Sequence, residues 1–164
     1  MAEQIALRLP EHRVERKAIL GWALQSAAGF AVLIGGLTVA YVLADAARPW
    51  LGPPLVAAIV WAVLQIPGMP LWRYAVHRWE VTDEAVYAVT GWIVREWRVV
   101  PISRIQTVDT IRGPIQQLLG LSTLVVTTAS SRGAVKIPGL ASGTASRVAE
   151  ELSRITQRTP GDAT

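Results

Sequence analysis

AILGWALQSAAGFAVLIGGLTVAYVLA, from Ala18 to Ala44, carries no charged side chain, and neither does PWLGPPLVAAIVWAVLQIPGMPLW, from Pro49 to Trp72. At a rise of about 1.5 Å per residue, roughly 20 apolar residues cross the hydrocarbon core of a bilayer, so each stretch is long enough for one span. The reading is two transmembrane helices, over about residues 19–44 and 50–72, with residues 1–18 as a tail and 73–164 as a small soluble domain.

Working outward, the charged residues collect in the short tail and in the last ninety or so positions, where apolar and polar residues begin to alternate. About 90 residues is near the lower end of what buries its own core, so one compact unit is expected there. The absence of cysteine excludes disulfides, thiolate metal sites and a cysteine nucleophile. Arg13, Arg16 and Lys17 precede the first apolar run as the basic region of a signal peptide would. That run is too long for a signal core, however, and a second span follows it, so it is read as a retained helix. Arg8, Arg13, Arg16 and Lys17 before the first span, and Arg73 and Arg78 after the second, outnumber the single Arg48 between them. The excess of basic residues predicts that both termini are cytoplasmic, with a short loop near Asp45 to Pro53 outside.

Within the first span, Ala23, Ala27, Ala31 and Gly35 fall on one helical stripe, read as a packing face for the second span or for a neighbouring copy. Trp22, Tyr41, Trp50, Trp72 and Tyr74 lie near the span ends and read as headgroup-level anchors. Pro67, Gly68 and Pro70 are expected to kink the second helix or to end it near the cytoplasmic surface. Neither span has an ionisable side chain, which argues against a transport path.

The soluble half reads as β-rich, with strands over Trp79 to Val81, Ala85 to Val89, Trp92 to Val100, Arg104 to Ile111, Leu124 to Thr128 and Ala134 to Ile137. Pro114 to Leu121 reads as a short helix capped by Gly120, and Pro138 with Gly139 reads as a stop to the sheet. A closing helix over about residues 142–158 is capped by Ser142 and carries Ala145, Val148, Ala149, Leu152 and Ile155 on one apolar stripe. The fold class is therefore a membrane α-helical hairpin plus a small α+β domain. The element order is that of a PH-like β-barrel of about six to seven short strands with a C-terminal amphipathic helix, although other small α+β or barrel folds share the count.

Four segments then carry a family resemblance: Trp79 to Glu84, Gly91 to Arg95, Val100 to Asp109 and Gly113 to Leu121. Their Pro-x-Ser-Arg-Ile-Gln and Gly-Pro-x-Gln-x-Leu-Leu-Gly-Leu patterns, behind two apolar spans, resemble the second bacterial PH-domain family, the YdbS-like membrane proteins. The resemblance implies a PH-like module at the inner membrane face, without established catalytic activity, in a family with some members linked to tolerance of membrane-directed antimicrobial compounds. The sequence departs from the family at Gln117, often basic there, and at Ala88, Val89 and Thr90, which lack the basic residues common before the hairpin glycine.

No catalytic, metal or cofactor set is assembled. His12 and His77 have no second ligand at suitable spacing, Asp83 and Glu84 fit a solvated turn, and no phosphate-cradling glycine loop is present. Arg95, Glu96 and Arg98 balance one another within a single strand, which disfavours nucleic acid. The expected function is non-catalytic: an interaction module assembling with itself or with another membrane protein. The alternative is a sensor of anionic lipid headgroups. Arg95, Arg98, Ser103, Arg104, Gln106 and Arg112 are the candidate contact residues, and in the lipid reading Arg73 and Arg78 join these arginines in meeting anionic headgroups, although topology already accounts for those two.

Overall fold

The computed structural model describes residues 10–91, 95–128 and 133–158. A two-residue strand, β1 (His12–Arg13), is followed by α1 (Lys17–Leu43), a 3-10 turn (Asp45–Ala47) and α2 (Arg48–Val76). Within lipid every backbone N–H and C=O must be satisfied inside the segment, and long uninterrupted helices meet that demand. The outer turn is held by Arg48, which donates to the carbonyls of Tyr41 (3.1 Å) and Val42 (3.3 Å) and bridges Asp45 at 2.6 Å. It thereby satisfies the exposed C-terminal carbonyls of α1. The expected stop at Pro67 and Pro70 does not occur: α2 continues to Val76, and Pro70 is buried. A proline inside a membrane helix is tolerated where neighbouring structure covers the turn it loosens.

The domain begins directly after α2. It comprises β2 (Arg78–Val81), β3 (Ala85–Gly91), β4 (Arg95–Pro101), a 3-10 turn (Ile102–Arg104), β5 (Ile105–Ile111), α3 (Pro114–Leu119), β6 (Leu121–Thr128), β7 (Val135–Ala141) and α4 (Ser142–Arg158). Residues 92–94, where a strand start was expected, and the loop tip at 129–132 lie outside the described residues. All strand pairs are antiparallel, in two sheets ordered β1-β2-β3-β4 and β5-β6-β7. The expected barrel is therefore not closed. The 3-10 turn diverts the chain between β4 and β5, and it is pinned at the far end of the domain by the Ile102 N–H donating to the Glu84 carbonyl at 2.9 Å. The sheet also does not stop at Pro138. β7 runs through it because Pro138 and Gly139 fall where the β6 pairing shifts, between the Ser122–Leu140 and Leu124–Ile137 partners. At such a bulge the missing proline donor disrupts no ladder bond.

Val86, Leu124, Val126, Ile137 and Leu140 form the centre of the core, and α4 closes it with Ala145, Val148 and Leu152, while Ala149 and Ile155 pack at its edge. The larger departure from the sequence reading is at the N-terminus. Residues 10–22 are part of the domain rather than a tail and a span: β1 adds to β2, and Val14, Ala18 and Trp22 lie in the same core cluster as Leu124 and Leu152. Gly139 is the contact point. Its φ of +80° suits glycine, a Cβ there would stand 2.7 Å from the Ala18 Cβ, and its carbonyl accepts from the Glu15 N–H at 2.8 Å. α1 is thus one continuous helix whose first turns belong to the domain and whose remainder pairs with α2.

A candidate ligand-binding cleft at the joint

A span of about 20 residues counted back from Leu43 ends at Leu24, and one counted forward from Trp50 ends at Met69, both on the domain side. A cleft of about 710 Å³ opens there. Its helical wall is Trp22, Gln25, Met69, Arg73 and His77; its domain wall includes Thr90, Glu96, Arg98, Ile111, Gln116, Thr123, Val125 and Lys136. The two sheets fail to close near this gap, and they meet across it through Arg98, whose guanidinium donates to the Ala134 carbonyl at 3.3 Å.

Three cations line the cleft and one acid does. Arg98 is matched by Glu96 at 2.7 Å. Arg73 and Lys136 make no ion pair among the described residues. Arg73 projects one turn beyond Met69, with its guanidinium carbon 4.5 Å from the centre of the Trp22 ring, an arrangement that holds a cation against an aromatic face. Its Nε donates toward His77 Nε2 at 3.4 Å, and His77 Nδ1 lies 2.8 Å from the Arg73 carbonyl. That carbonyl can only accept, so His77 Nδ1 carries the proton and Nε2 keeps its lone pair. Burial, together with the neighbouring Arg73 charge, lowers the His77 pKa to about 4, so the imidazole is neutral at physiological pH. Gln116 is held in place as well: its Oε1 accepts from the Gly113 N–H at 3.0 Å and its Nε2 donates to Thr123 Oγ1 at 3.0 Å. The result is a polar wall with two unneutralised cations. Among the described residues no group of His, Asp or Glu is arranged to hold a metal ion.

Of the six candidate contact residues, the cleft takes only Arg98. Arg95 is exposed at the start of β4. Ser103, Arg104 and Gln106 lie at the end of the domain farthest from the helices, beside the turn of residues 82–84, whereas Arg112 follows β5 at the near end. At about 3.3 Å per residue, Arg104 and Arg112 are more than about 20 Å apart and share no site. Trp22, expected as a lipid anchor, is instead buried in the domain core, and Tyr74 is half-buried against it. Tyr41, Trp50 and Trp72 are exposed near the helix ends. The small-residue stripe divides: Ala23 and Ala27 are half-buried, while Ala31 and Gly35 are exposed, and a Cβ at Gly35 would meet nothing within 4 Å. The second span therefore does not pack on the outer half of that stripe. From the sequence, Arg73 is expected to meet lipid only as a membrane-flanking charge and His77 reads as interfacial, while Lys136 carries no reading, since a lone lysine in a strand gives no local signal of a cleft.

A profile of the family described as bacterial PH domain matches residues 21–156. The chain is also 26% identical over 161 residues to the UPF0699 transmembrane protein YdbS of Bacillus subtilis (strain 168), covering 93% of this chain and 97% of that protein. No solved structure matches it.

Proposed function

Since this chain belongs to the bacterial PH domain family, we propose that it is a non-catalytic membrane module, with its domain and both termini in the cytoplasm, whose junction cleft receives the phosphate-bearing headgroup of an anionic lipid. One observation carries the reading: Arg73, a half-buried cation without a carboxylate partner among the described residues, stands about one helical turn outside the hydrocarbon boundary. A guanidinium held on an aromatic face and screened from bulk water is suited to phosphate. Lys136 supplies a second positive charge on the opposite wall.

The experiment uses the full chain in a mild uncharged detergent and compares thermal unfolding with added phosphatidylglycerol and with phosphatidylcholine of the same acyl chains. A ligand that binds only the folded state raises the midpoint, by several degrees at saturating lipid. Phosphatidylglycerol is expected to give that shift, Arg73→Gln to remove most of it, and Arg104→Ala to leave it intact. Equal shifts from both lipids, or an undiminished shift in Arg73→Gln, would contradict the headgroup site. Assembly with a second copy or with another membrane protein is the second reading, favoured by the outward-facing Ala31 and Gly35, where another helix backbone could approach. It gains ground if no lipid shift is seen and the protein runs as a dimer.

A further inference from the structure

The corner between β5 and α3 presents apolar side chains where a soluble domain would present polar ones. Leu118 is 88% exposed and Ile111 55% exposed, with the charged Arg112 between them in sequence. Neither position is idle surface far from the membrane, because α3 lies along the first turns of α1. A Cβ on Gly21 would meet Leu119 Cδ1 at 3.3 Å, while Gly113, Pro114, Ile115 and Gln116 border the same small hollow as Gln25. α3 therefore packs beside the stretch of α1 from Ala18 to Gln25. Gln25 lies just inside the hydrocarbon boundary estimated from Leu43, so this corner reaches the level of that boundary. Leu20 and Leu24, on the turns of α1 against which α3 packs, are themselves exposed, so the helix beside the corner also presents apolar side chains outward.

We infer that the corner from Ile111 to Leu118 enters the bilayer leaflet on the domain's side, with Ile111 and Leu118 at the boundary between headgroups and acyl chains and Arg112 extended to the phosphates. The occupant of this apolar surface is lipid rather than protein, because the surface lies beside a membrane span at the depth where acyl chains begin. A short helix at such a boundary sits about 5–10 Å into the headgroup and acyl region. Ile111 also edges the cleft, so insertion sets the cleft mouth at the level of the phosphates.

The chain has no cysteine, so single-cysteine variants accept one fluorophore each. Leu118→Cys, Ile111→Cys, the span control Leu33→Cys and the distal control Asp83→Cys are labelled in the full chain and reconstituted into nanodiscs. Quenching by a lipid nitroxide placed high on the acyl chain is compared with quenching by aqueous iodide. The labels at positions 118 and 111 are expected to be quenched by the lipid nitroxide at least about threefold more than the label at 83, and to be protected from iodide, as suits an interfacial depth. Iodide quenching equal to that at position 83 would overturn the inference in favour of a solvated corner. Protection from both quenchers would overturn it in favour of a covering protein surface. The readout requires no ligand in the cleft, so its failure would leave the headgroup reading standing, and the converse also holds.

Discussion

His77 is the residue where fold, charge and pH meet. Its neutral form donates from Nδ1 to the Arg73 carbonyl and accepts at Nε2, whereas a protonated ring would lose the acceptor and place a second positive charge beside the Arg73 guanidinium. With the folded pKa near 4 and the ordinary imidazole value at 6.5, the unfolded chain binds the proton first as pH falls. Stability is therefore full above about pH 6.5 and is lost progressively as pH falls toward about 4. Measured as thermal midpoints in detergent between pH 7.5 and pH 5, the wild type is expected to lose more than His77→Asn, which has no ring to protonate. An equal loss in both would show that His77 does not carry the effect. This network was not legible in the sequence. Arg73 and His77 are four residues apart at a helix end, but the Trp22 ring that holds the guanidinium comes from another helix, and no local pattern announces that meeting.

At the scale of elements, the two helices and most strands could be read from charge-free length and from alternation, because those signals are local and strong. The departures have physical reasons. β1 is two residues long and pairs with a strand more than sixty positions away, so His12 and Arg13 carry no period to detect. Pro138 falsely signalled an end to β7 because a bulge accepts it, and of the kink or end expected at Pro67 and Pro70 the end does not occur, since α2 runs on to Val76 with Pro70 buried. The flanks of α1 and α2 make a directional prediction. Arg13, Arg16, Lys17, Arg73 and Arg78 all lie at the domain end of the hairpin, and Arg48 at the outer end is engaged with Asp45 and with carbonyls of α1. The more basic end is expected to stay in the cytoplasm. A reporter that works only outside the cytoplasm, fused after Thr164, is therefore expected to be inactive in cells, and its activity there would reverse the orientation.

Taken whole, the molecule is a helical hairpin and a PH-like domain folded as one body, rather than a domain tethered to an anchor. The boundary expected at residue 73 does not separate them: Val14, Ala18 and Trp22 complete the domain core, Gly139 seats against α1, and α2 passes into β2 through the single residue His77. The cleft exists only because both parts supply its walls, so a flexible joint would dissolve the site and lift the β5–α3 corner from the leaflet. The most direct measurement is the distance between two spin labels in the full chain in nanodiscs, one at Leu33→Cys in the lipid part of α1 and one at Asp83→Cys in the distal turn of the domain. Both positions are exposed, and the cysteine-free background keeps the labels specific. One narrow distance distribution, unchanged between low and high salt, is the predicted result; a broad distribution, as from a domain swinging on its helices, would contradict it.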